Sequence, residues 1–102
     1  MKKTFPLEVE KLKPPRVIES IKHQVRKYLK RERRKQLPEG VDYWDFDCRA
    51  GKDAETSKTI HVAEITGAID TASRENWQAI YIEIIAKPGV RGGKDPGSPS
   101  DD

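Results

Sequence analysis

Residues 16–37 read RVIESIKHQVRKYLKRERRKQL, and the way this stretch folds decides how the rest of the chain is arranged. At 100° per residue, Val17, Ile18, Ile21, Val25, Tyr28 and Leu29 fall on one stripe about 120° wide. That is the pattern of a helix laid on a core. Lys22, Arg26, Lys30, Arg33 and Arg34 share the opposite side. Glu32 continues the apolar stripe as a charge, so the helix is expected to leave the core after Leu29 and project its last turns into solvent. Pro14 and Pro15 suit its entry, where a missing amide costs nothing. Leu37-Pro38-Glu39-Gly40 cannot propagate it and marks its end.

On either side of the helix the period changes to two. Residues 3–9, KTFPLEV, alternate Phe5, Leu7 and Val9 against Thr4, Pro6 and Glu8, and Pro6 requires that strand to lie at an edge or to be irregular there. Val41 to Arg49 sets Trp44, Phe46 and Cys48 on one face and Tyr43, Asp45, Asp47 and Arg49 on the other. Residues 50–55 read as a turn, and 58–62 alternate again with Ile60 and Val62 inward and His61 outward. Ile65, Ala68, Ile69 and Ala72 give helical spacing over 63–74, with Asn76 as the terminating residue. Ala79 to Ala86 places Ile80, Ile82 and Ile84 together, and Lys87-Pro88-Gly89 ends that strand. The order β-α-β-β-α-β predicts an α+β two-layer sandwich, ferredoxin-like, with both helices on one sheet face. A β-α-β-α-β mixed sheet is the alternative should the 58–62 strand not form. Residues 1–88 are read as a single domain and 89–102, rich in Gly, Pro, Ser and Asp, as a disordered tail.

At 102 residues there is room for one core. Charged residues make up 36% of the chain, and they are unevenly placed. Residues 11–35 carry eleven Lys/Arg and two Glu, a local +9; residues 36–102 carry seven Lys/Arg and thirteen Asp/Glu, a local −6. No apolar run is long enough to span a bilayer, and the N-terminus lacks the apolar stretch of a signal peptide. One cysteine, Cys48, excludes an internal disulfide and a Cys-based zinc cluster. The expected setting is the cytoplasm, with no cofactor implied.

The run KHQVRKYLKRERRKQLPEGVDYWDFDC (residues 22–48), with KTFPLEVE (3–10) and YIEIIAKPGVR (81–91), resembles a family of small uncharacterised proteobacterial proteins, a domain of unknown function. The resemblance covers about residues 1–91 and implies a bacterial, cytoplasmic protein. It brings no activity, catalytic residue or ligand with it.

Two surfaces could carry chemistry. Lys22, Arg26, Lys27, Lys30, Arg31, Arg33, Arg34 and Lys35 offer cations at one-turn spacing, which phosphate contacts require, and point to RNA or DNA as partner. Arg adds planar, bidentate donors. Five of the six residues from Lys30 to Lys35 are basic, a self-repulsion that solubility does not call for. A merely solvated helix face is the plain alternative, and an acidic protein partner is another. The second surface is the open sheet face, expected to carry Glu8, Tyr43, Asp45, Asp47, Arg49, His61, Tyr81, Glu83 and Ile85. Its carboxylates argue against the base-stacking sheets of RNA-recognition motifs. They fit a metal site at Asp45, Asp47 and His61, an acidic surface that a second copy's basic helix would meet, or simply a solvated face whose charges guard against aggregation. Cys48 alternates with Trp44 and Phe46 and reads as a core thiol rather than a nucleophile. No Gly-rich phosphate loop, nucleophile elbow or HExxH motif occurs.

Overall fold

Helix α1 spans Pro14–Arg33 in the computed structural model, which describes residues 1–8 and 13–90. Before it lies strand β1 (Lys2–Pro6). After it come strands β2 (Tyr43–Gly51) and β3 (Lys58–Ile60), a single 3-10 turn at Val62–Glu64, helix α2 (Ile65–Arg74) and strand β4 (Ala79–Gly89). Val9, expected in the first strand, and residues 91–102, expected as most of the tail, lie outside the described residues. Val17, Ile18, Ile21, Val25 and Leu29 are all buried, so the stripe along α1 is the core face its spacing indicates. Burying five such side chains is worth roughly 10 kcal/mol before the cost of ordering them. Pro14 and Pro15 open the helix and lack the amides that would otherwise go unpaired there.

The protein is α+β: two helices over a four-stranded, wholly antiparallel sheet in the order β1-β4-β2-β3. Both helices contribute to one core cluster with Phe5, Phe46, Cys48, Ile80, Ile82 and Ile84, which places them on the same sheet face. The third strand forms, so the five-element alternative does not apply. The strand order is nevertheless not the ferredoxin-like one. A ferredoxin-like sheet centres its first and third strands, whereas here they are the two edges and β2 and β4 run through the middle. The composition of the strands explains this. β2 and β4 are 9 and 11 residues long and supply the most deeply buried sheet residues, while β3 has only three residues. β1 contains Pro6, which a central strand cannot accommodate. Leu7 N–H donates to the Gln78 carbonyl at 2.8 Å, so the amides of the odd-numbered residues face β4 and the donor that Pro6 lacks would have faced outward.

β4 runs further than expected, through Pro88 to Gly89. Ile84 N–H donates to the Met1 carbonyl at 2.7 Å, which orients the even-numbered amides of β4 toward β1. β1 ends before it reaches Pro88, so proline interrupts nothing there. Gly89 pairs with Tyr43, and a Cβ at Gly89 would lie 2.5 Å from that tyrosine's ring. Tyr43 therefore packs over bare backbone.

The second helix begins later than its spacing suggested. The third strand stops at Ile60 rather than at Val62, because His61 caps the 3-10 turn that follows: its Nδ1 accepts from Ala63 N–H at 3.1 Å, and its own N–H donates to Glu64 Oε1 at 2.7 Å. At the other end of α2, Asn76 takes a left-handed φ of 59°. Trp77 N–H reaches the Ala72 carbonyl at 2.9 Å, and Asn76 N–H reaches that of Ser73 at 3.1 Å. The pair forms a Schellman termination with Asn76 in the position usually given to glycine.

Candidate nucleic-acid interface

The eight cations proposed along residues 22–35 are not equivalent once folded. Lys22 lies on the flank facing α2, its side chain only 14% exposed and its Nζ 2.6 Å from Asp70 Oδ1. Lys35 turns back onto Glu32, with Nζ 2.9 Å from Oε2. Both charges are neutralised within the domain. Arg33 lies over the Phe46 ring at 5.2 Å, and Arg31 over the Tyr28 ring at 5.6 Å. These two keep their charge but are braced by aromatic faces. Arg26, Lys27, Lys30 and Arg34 are exposed and, among the described residues, form no ion pair or ring contact. By helical spacing those four fall within an arc of about 100° on the outer side of α1 and span about 12 Å of its axis.

The expectation of a projecting basic spike is corrected. α1 ends at Arg33, with Arg34 as its cap, rather than at Leu37. Glu32, which seemed to mark departure from the core, is itself buried at 8% exposure. The carboxylate does not expel the helix because Lys35 neutralises it in place. Trp44 then ties down the segment beyond the helix: its indole N–H donates to the Lys35 carbonyl at 2.9 Å. Gly40 completes the exit with a φ of 83°, and Val41 N–H closes a turn on the Pro38 carbonyl at 3.1 Å. A groove of ≈ 390 Å³ remains at this end of α1, lined by Arg33, Leu37, Asp42, Tyr43 and Trp44. Nothing in the local spacing pointed to it, because its walls come from the helix end and from the start of a strand.

The open sheet face is less acidic than the alternation suggested. Lys87 Nζ bonds Asp47 Oδ1 at 2.7 Å, and Asp47 holds the ammonium's pKa above its ordinary value. Arg49 pairs in register with Glu83 while its guanidinium donates to Ser57 Oγ at 3.0 Å and to the Ser57 carbonyl at 2.6 Å. Tyr81 donates to Glu83 Oε1 at 2.7 Å, a bond that raises the phenol's pKa. Positive side chains thus alternate with negative ones across the face. Glu8 is not on it at all. It lies past the end of β1, beside Leu7, Ile18, Ser73, Asn76 and Trp77.

Asp45, Asp47 and His61 do line one shallow groove, together with Glu64 and Lys87. One polar atom of each of the three is already engaged: Asp45 Oδ1 by Phe46 N–H at 2.8 Å, Asp47 Oδ1 by Lys87 and His61 Nδ1 by Ala63. Among the described residues no group of three or more His, Cys, Asp or Glu is placed to hold a metal ion. Cys48 is buried in the core, and burial first, then Asp47 and Asp45, pushes its thiol pKa up. A thiol held protonated in this way is poorly suited to nucleophilic attack.

The fold and its surfaces define a small α+β domain whose outer helix face carries four exposed cations without an ion pair or ring contact among the described residues. By its sequence the chain belongs to the Family of unknown function (DUF6172), which it matches over residues 1–95. No curated protein and no solved structure matches it. No helix among the described residues is long and apolar enough to cross a membrane.

Proposed function

We propose that this protein is a non-enzymatic nucleic-acid-binding module that holds a phosphate backbone against the outer face of α1. Arg26, Lys27, Lys30 and Arg34 supply the contacts, and Arg31 assists from the Tyr28 side. The observation that carries the reading is the absence of compensating charge among the described residues. Between Glu19 and Glu32 the helix has no acidic residue, and Glu32 is turned inward and satisfied by Lys35. Among the described residues, acidic side chains elsewhere in the domain are recruited to Lys22 and Lys87 but not to this face. Each cation brought against a phosphate releases condensed counterions, a gain that needs no base-specific contact. Binding is therefore expected to be sequence-tolerant. We further place the protein in a bacterial cytoplasm, a reading supported by the sequence resemblance and by its single, buried thiol.

The test is fluorescence anisotropy with a labelled mixed-sequence oligonucleotide at low salt. The wild-type protein is expected to bind, and a triple variant Lys27→Glu, Lys30→Glu, Arg34→Glu to lose binding while keeping its circular dichroism spectrum. Absence of wild-type binding, or a triple variant that binds as well as the wild type, overturns the reading.

A further inference from the structure

We infer that the nucleic acid is single-stranded, and that one unpaired base sits in the groove between the end of α1 and the start of β2. This rests on the function proposed above and extends it. The groove of ≈ 390 Å³ is of small-ligand size and takes its walls from Arg33, Leu37, Asp42, Tyr43 and Trp44. It lies at the C-terminal end of α1, where Arg33 lines it and the next residue, Arg34, caps the helix as the last unneutralised cation of the outer face. A backbone following Lys27, Lys30 and Arg34 is thereby led to it.

The walls are suited to a base. Trp44 packs in part against the core and in part lines the groove, and its indole N–H is spent on the Lys35 carbonyl. The ring is thus held in one orientation and has no polar function left to satisfy. That is what a stacking surface needs, since any base has a π-face to offer. Arg33 is positioned by the Phe46 ring at 5.2 Å and keeps its charge at the groove wall, where a phosphate or base edge can accept from it. A duplex could fill the groove only by extruding a base from its stack, whereas a single strand has no such obstacle. The combination of cationic track and aromatic platform is the general arrangement of single-strand binders.

The chain has two tryptophans, so Trp77→Phe leaves Trp44 as the only indole reporter. This protein is titrated with three probes: a short oligodeoxythymidylate, an abasic strand with the same number of phosphates, and a duplex of matched length. The expected result is quenching of Trp44 by the oligothymidylate and affinity about tenfold above that for the abasic strand. Trp44→Leu, in the otherwise unaltered chain, should reduce oligothymidylate binding to the abasic level, and Trp44→Phe should retain most of the preference. The comparison of probes needs no variant at Trp44, so a Trp44→Leu protein that fails to fold does not decide the matter. Equal affinity for intact and abasic strands, or a duplex that binds and quenches as well as the single strand, overturns the base-binding groove and leaves the helix face standing. If no probe binds at low salt, the helix-face reading fails and this inference fails with it.

Discussion

Substituting glutamine for the cations of α1 one at a time separates those the fold has neutralised from those it has left open. Four cations of the outer face, Arg26, Lys27, Lys30 and Arg34, have neither an ion pair nor a ring contact among the described residues. If these four alone each meet one phosphate of a single strand, log affinity should fall against log salt with a slope of about −2.8, at about −0.7 per contact. Raising salt from about 50 to 200 mM would then weaken binding about fiftyfold. Lys30→Gln removes one contact, so the slope should relax to about −2.1 and the same salt change should cost about twentyfold. Lys22→Gln should leave the slope where it was, because its side chain is 14% exposed and its ammonium already lies 2.6 Å from Asp70. Its effect should appear instead as a lower urea midpoint, through loss of the tie between α1 and α2. The assay is anisotropy over a salt series, with circular dichroism to confirm that each variant is folded. A wild-type slope near zero refutes the counterion argument. A Lys22→Gln slope reduced as much as that of Lys30→Gln refutes the division into neutralised and open cations.

Two further predictions concern the fold. Asn76 holds a left-handed φ of 59° at the end of α2, so Asn76→Ala should cost about 1 kcal/mol or slightly more, and Asn76→Gly should be close to neutral, as read from urea denaturation. The other prediction is a loss of stability in alkali. Cys48, Tyr81 and Lys87 all have pKa values raised in the folded protein, Cys48 first through burial, Tyr81 through its bond to Glu83 and Lys87 through its bond to Asp47. A raised folded pKa means that the folded state holds its proton more tightly than the unfolded one. Stability linked to these groups is therefore full below their ordinary values, of which the thiol's 9.0 is the lowest, and is lost as pH rises through the folded values. Thermal melts should decline from about pH 9 upward, and Cys48 should resist alkylation below that pH until the protein is unfolded. Rapid labelling of the native thiol near neutrality would contradict its burial.

What the sequence could determine was whatever depends on neighbours a few residues away. The stripe from Val17 to Leu29, the alternation of Trp44, Phe46 and Cys48, and the Ile80–Ile82–Ile84 face are set by helical and strand periods, and their burial follows the pattern, with Tyr28 and Trp44 half-buried at the margin. Pro6 limited its strand to an edge or an irregularity because a missing amide is a local chemical fact, and the edge is what formed; Asn76 indicated a helix end because asparagine tolerates a left-handed φ. Strand order was not accessible in this way, since β4 pairs with β1 and β2 across most of the chain. His61 fits either the alternation of a strand or the cap of the turn after it, and only the hydrogen bonds with Ala63 and Glu64 choose between them. The basic stretch divides along the same line. Sequence establishes that the charges are there, but a period cannot say whether a buried glutamate drives a helix outward or is neutralised where it lies. Tertiary contacts decided that: Lys35 on Glu32, Lys22 on Asp70 and Arg33 on Phe46 remove or brace some of the cations and leave Arg26, Lys27, Lys30 and Arg34 open. Charge is written in composition, but which charges remain unneutralised depends on distances of a few ångströms between residues that the chain alone does not bring together.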